Sequence, residues 1–184
     1  METSLTWLSR LMDAPDSADW RRLLDVYGPL LHAWLSRAGV PEAERDDLVQ
    51  EVFMVVVRQV REFEHRGPGA FRAWLRVILA NHIHKYFRTR TVVAAIDPDQ
   101  LAQEDSVLCK LWDRDHDEFL AARALRAAEV DFAPATWAAF RRQVFDGCRP
   151  AEVAAELGLT LNAVLLAKSR VLKRLREELR GLVE

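Results

Sequence analysis

The sequence predicts an all-α protein: two small helical domains joined by a flexible linker. Three observations carry this. Apolar residues recur at spacings of three and four along most of the chain, the period of a helix with one buried stripe. Glycine is scarce, 7 in 184 residues, and no run alternates apolar and polar residues for long, so strands have little support. The helical segments end at clear breaks, and one acidic, weakly periodic stretch parts them into two groups.

The first element is expected from about Asp19 to Ala38. Trp20, Leu23, Leu24, Tyr27, Leu30, Leu31, Trp34 and Leu35 form its stripe, and Gly39-Val40-Pro41 ends it. The second starts near Pro41 and runs to about Phe63. Its first turns are acidic, which suits the positive end of a helix, and Leu48, Val52, Val55, Val56 and Val60 form its buried side. The run Glu64-His-Arg-Gly-Pro-Gly69 breaks the chain. The third element spans about Ala70 to Thr89, with Phe71, Trp74, Leu75, Ile78 and Leu79 on one face. A further helix is expected over about Val107–Val130, and the rest reads as helices over Pro134–Phe145, Pro150–Leu157 and Leu161–Leu182. The division is therefore a domain over 1–93, an acidic linker over 94–107 and a second domain over 108–184.

Half the residues are apolar and 29% are charged, an ordinary globular balance with material for a real core. The two cysteines, Cys109 and Cys148, form no CxxC pair or Cys/His cluster, so a reduced protein with incidental thiols is expected. His82 and His84 sit two apart on a helix and point to different faces, a poor metal arrangement. No nucleophile–base pair or phosphate loop stands out. Neither an enzyme nor a metal or other cofactor is expected. The opening Met1-Glu-Thr-Ser-Leu-Thr-Trp7 lacks the basic start and long apolar run of a secretory leader. The longest apolar run, Val52 to Val57, is too short to span a bilayer. A soluble, cytoplasmic protein without membrane insertion is the expectation.

The net charge of −2 is uninformative, but its distribution is not. No acid occurs from His65 to Ile96, a stretch that holds Arg66, Arg72, Arg76, Lys85, Arg88 and Arg90. From Asp97 to Glu118, eight acids face only Lys110 and Arg114. A second acid-free block, Gly158 to Arg176, holds Lys168, Arg170, Lys173, Arg174 and Arg176. Two basic helices separated by acids point to two contacts with a polyanion.

The run Pro150-Ala-Glu-Val-Ala-Ala-Glu-Leu-Gly-Leu-Thr-Leu-Asn-Ala-Val164 reads as a helix-turn-helix. Gly158 stands at the turn, where a left-handed backbone is cheap only for glycine, and Thr160 is a candidate N-cap. The inner face of the second helix would be Val164, the stem of Lys168, Val171 or Leu172, Leu175 and Leu179. The outer face would be Asn162, Leu166, Ser169, Arg170 and Lys173, side chains able to reach base edges and phosphates in a major groove.

Asp46-Asp-Leu-Val-Gln-Glu-Val-Phe53 resembles the polymerase-binding helix, region 2.2, of bacterial sigma factors. Phe71-Arg-Ala-Trp-Leu-Arg-Val-Ile-Leu-Ala-Asn81 resembles the following regions 2.3 and 2.4. The first helix resembles region 2.1 and the helix-turn-helix resembles region 4. Order and spacing fit the extracytoplasmic-function (ECF) group, over nearly the whole chain. The resemblance implies a sigma factor that binds core RNA polymerase and directs promoter-specific transcription initiation. It implies docking on the β′ clamp helices through Asp46, Asp47, Gln50 and Glu51, with a further contact to the β flap. It implies recognition and opening of the -10 element by Trp74, Asn81, Lys85 and Arg88, with Arg72, Arg76 and Arg90 on phosphates. It implies reading of the -35 element by Asn162, Leu166, Ser169, Arg170 and Lys173. Partners would thus include double- and single-stranded promoter DNA and an anti-sigma factor. Two departures stand out: Lys85 replaces an aspartate common in the group, and Leu165-Leu166-Ala167 replaces a Lys-Ser-Arg run early in the recognition helix. Two rivals follow from the residues, a plain helix-turn-helix regulator and a sigma-like polymerase-interaction module that does not read promoters.

Overall fold

The computed structural model describes residues 18–64, 67, 69–90 and 93–179. Arg66 of the basic stretch, the opening residues and the last turn expected up to Leu182 lie outside them. The described residues form α1 (Ala18–Arg37), α2 (Glu42–Gln59, followed by a 3-10 turn Val60–Glu62), α3 (Ala70–Arg88), α4 (Pro98–Ala102), α5 (Val107–Glu129), α6 (Pro134–Val144), α7 (Pro150–Leu157) and α8 (Leu161–Leu179). Among them there is no strand. Contacts divide the chain into two units, one up to Phe119 and one from Leu120, so the division falls inside α5.

In the first unit α2 packs against both α1 and α3. α1 buries Trp20, Leu23, Val26, Tyr27, Leu30, Leu31, Trp34 and Leu35, while Leu24 is exposed and Val26 takes its place in the stripe. The helix continues through Pro29 even though proline removes an interior hydrogen bond. It ends in a Schellman motif: the Val40 amide donates to Leu35 O and the Gly39 amide to Ser36 O, both at 3.0 Å. Gly39 adopts φ +89°, which this cap requires and side-chain-bearing residues resist. α2 buries Leu48, Val49, Val52, Phe53 and Val56, whereas Met54 and Val57 face outward. α3 is buried through Phe71, Leu75, Ile78, Leu79, Ile83, Tyr86 and Phe87.

The stretch 94–107, expected as a flexible linker, is folded onto this unit. α4 is capped by Asp97, whose side chain accepts from the Asp99 amide, and it packs on α3 with Leu101 fully buried. The Ala95 amide donates to Ala38 O at 2.8 Å. The first half of α5, expected to open the second domain, also belongs here. Trp112 is fully buried edge-on against Trp34, ring centroids 5.5 Å apart, and His116 stacks obliquely on Tyr27 at 5.6 Å. Arg37 donates to Asp115 at 2.8 Å, and Arg72 reaches Asp113 at 3.0 Å and Asp117 at 2.7 Å. Once Trp112 commits one face of α5 to the core, its flanking acids meet arginines of α1 and α3.

In the second unit α6, α7 and α8 pack mutually. One cluster holds Ala128, Trp137, Phe140 and Val171; another holds Ala139, Val153, Val164 and Ala167. The expected turn is present: Gly158 adopts φ +65° and the Thr160 hydroxyl accepts from the Ala163 amide at 3.1 Å. α7 and α8 meet at a bend of 108°. Gln143 pins α6 to α8 by donating to Val164 O at 3.0 Å. The buried line of α8 is Val164, Ala167 and Val171, so Ala167 takes the inner place expected for the Lys168 stem, and Lys168 is exposed.

Candidate functional site

On α2, spacing alone separates the buried from the exposed side. Leu48 and Val52 point inward, while Asp46, Asp47, Gln50 and Glu51 are all exposed. Asp46 meets His32 of α1 at 2.7 Å, and Glu51 lies 3.6 Å from Lys85 of α3. Asp47 and Gln50 face outward between these two contacts. The arrangement is an acidic arc on a rigid helix, suited to a basic protein surface.

α3 sorts its polar and basic residues into two kinds. Asn81, Lys85 and Arg88 are exposed along its C-terminal half. That end of a helix favours cations, and cations there hold a phosphate chain well. Arg90, just past the helix end, stacks on the Tyr86 ring at 3.7 Å and is tied to Glu44, which also accepts from the Tyr86 hydroxyl at 2.9 Å. Burial, with the bond to Glu44, pushes the Tyr86 phenol above its ordinary pKa, and Arg90 opposes the shift. Glu44 is a member of this network that the sequence reading did not single out.

Arg76 is a correction. Its guanidinium is buried and donates to the carbonyls of Leu101 and Gln103, each at 3.1 Å. It holds α4 to α3 and does not face solvent, so it is not placed to touch a phosphate. Arg72 is half-buried and paired with Asp113 and Asp117. Trp74 is half-exposed and stacks obliquely on Phe63 at 5.0 Å. It lines a depression with Glu62, Phe63, Glu64 and Glu104, so this indole keeps one side open to solvent. The apolar pattern placed it in the core, yet its ring sits at the edge of the Phe63–Phe71 aromatic group.

On α8 the outer face is as expected. Asn162, Leu166, Ser169, Arg170 and Lys173 are all exposed, opposite Val164, Ala167 and Val171. Arg174 is instead spent on Asp131, at 2.7 Å. Among the described residues no group of His, Cys, Asp or Glu is arranged to hold a metal ion, and no single helix is long and apolar enough to cross a membrane.

The helices that carry the acidic arc and the basic row are those of a known domain. Residues 23–92 match the family model Sigma-70 region 2, and this part of the chain is a sigma-70 region 2 domain. Beyond this region the chain is also similar to a sigma factor. It is 28% identical over 165 residues to the ECF RNA polymerase sigma factor SigE of Mycolicibacterium smegmatis, covering 88% of this chain and 60% of that relative. The chain thus spans about three fifths of the length of the relative it matches. Among solved structures the RsbN–BldN complex is similar at a TM-score of 0.39 and 18% identity, over 92% of this chain and 97% of that one.

Proposed function

We propose that this chain is an ECF-type sigma factor that binds core RNA polymerase and directs promoter-specific initiation. One observation carries the reading: a sigma-70 region 2 domain is followed in the same chain by a helix-turn-helix whose second helix exposes Asn162, Ser169, Arg170 and Lys173. In this reading α2 docks on the β′ clamp helices through Asp46, Asp47, Gln50 and Glu51. α3 engages the -10 element with Asn81, Lys85 and Arg88, and Trp74 offers a flat surface for an unstacked base. Arg72 and Arg90 hold the phosphates only by leaving their carboxylate partners. α8 reads the -35 element in the major groove while the helix-turn-helix unit meets the β flap. The partners are core polymerase and promoter DNA, with an anti-sigma protein as regulator, and the place of action is the cytoplasm. The protein performs no covalent chemistry.

A pull-down of core polymerase with wild type and with Asp47→Lys/Gln50→Ala tests this. Both residues are exposed, so the variant should keep its helical circular dichroism. Capture by wild type and its loss in the variant support the reading. Failure of wild type to capture polymerase overturns it and favours a free-standing helix-turn-helix regulator.

A further inference from the structure

The outward line of α8 is not uniformly polar. Leu165 and Leu166 are 49% and 42% exposed, and Leu161 at the helix start is 50% exposed. Leu166 stands between Asn162 and Ser169 on the face opposite Val164, Ala167 and Val171. Burial inside the unit therefore does not account for it. Two bulky apolar side chains in water on a helix otherwise rich in Lys and Arg call for a partner that is both anionic and locally apolar.

Duplex DNA meets both demands. Lys168, Arg170, Lys173 and Arg176 follow the leucines along the exposed part of the same helix, and no acid occurs from Gly158 to Arg176, so phosphates flanking a groove find cations. In the major groove, thymine alone among the four bases presents a methyl group, at C5. An apolar side chain gains by covering that methyl and gains nothing from the amino groups and acceptors of the other bases.

We infer that Leu166, with Leu165 beside it, makes this helix a reader of thymine methyl groups, so that the upstream promoter element it selects carries thymine where those side chains land. The inference rests on the proposed reading of α8 as a DNA-reading helix and names the base it prefers. Asn162, on the same outward line, is suited to the N6 and N7 groups of adenine, so an A·T-rich step is the natural site.

The test uses the full chain bound to core polymerase. Duplexes selected from a randomised upstream element are remade with deoxyuridine for thymine, which deletes only the methyl. Wild type should lose about fourfold in affinity for each contacted methyl. Leu166→Ala should bind the thymine duplex more weakly and show no further loss with deoxyuridine. Leu166 is exposed, so the variant keeps its fold; unchanged circular dichroism and retained polymerase capture verify this. Sequence-selective binding in which wild type is insensitive to deoxyuridine overturns the inference and leaves the sigma reading intact. Polymerase binding with no upstream selectivity overturns both the inference and DNA reading by α8, and gives the leucines to a protein partner.

Discussion

His116 ties the first half of α5 to the region 2 domain, and its protonation should loosen that attachment. The ring is buried, with the Tyr27 hydroxyl 3.2 Å from Nε2 and an Asp117 carboxylate oxygen 3.1 Å from Nδ1. Burial is the main cause that holds its pKa below the ordinary histidine value. Arg72 acts in the same direction, while Asp117 and Asp113 oppose it. The folded ring therefore stays neutral at a pH where the unfolded chain already takes up a proton. The stability this neutral ring supports is fully present above about pH 6.5, and it is lost as pH falls from there through the depressed folded value. A single proton sets the steepest slope at about 1.4 kcal/mol per pH unit. His116→Gln removes the titration and keeps a polar group for the Tyr27 hydroxyl, so its own cost should be about 1 kcal/mol. The assay is amide hydrogen exchange of α1 and the first half of α5, corrected for intrinsic rates, between about pH 7.5 and about pH 5.5. Wild type should lose more protection on acidification than the variant, which lacks the buried His116 ring. Parallel pH profiles for the two proteins would refute the account.

Two substitutions probe other joints. Arg76→Met removes two charge-assisted bonds to the carbonyls of Leu101 and Gln103 while filling the same buried volume, and should cost about 2–3 kcal/mol. Exchange confined to α4 and its flanks should accelerate, while the proposed capture of polymerase through the exposed arc of α2 is retained. Gly158→Ala meets no neighbour within 4 Å but forces φ +65° on a side-chain-bearing residue. It should destabilise the helix-turn-helix by about 1–2 kcal/mol, read as a lowered denaturation midpoint of that unit with the region 2 unit unchanged.

Local chemistry alone announced most element ends. Gly39 and Pro41 separate α1 from α2, Gly158 and Thr160 build the turn before α8, and the three-and-four spacing gives each helix its inner side. The exposed arc of α2 and the outer face of α8 follow from the same periodicity, because on one helix the residues opposite the apolar line face away from the core. Errors arose where near neighbours compete for the inner position. Leu24 gave way to Val26, and Lys168 to Ala167, since the packing partner chooses among residues one or two positions apart.

Charge pairing was not legible in this way. A run of arginines on α3 reads as one basic face, yet Arg76 is buried against carbonyls, Arg72 is matched by two aspartates, and only Lys85 and Arg88 of that helix's later cations remain exposed. The expected linker is docked through Leu101, and the acidic start of α5 that follows it through Trp112 and His116. The sequence by itself determined the longer helices, most of their ends and most of their faces, because those depend on residues within a turn or two of one another. Only the tertiary structure decided which charges stay open to a partner. Arg37 meets Asp115, and Arg72 meets Asp113 and Asp117, across long separations in the chain, and such pairs form only once burial of apolar side chains has set one helix beside another.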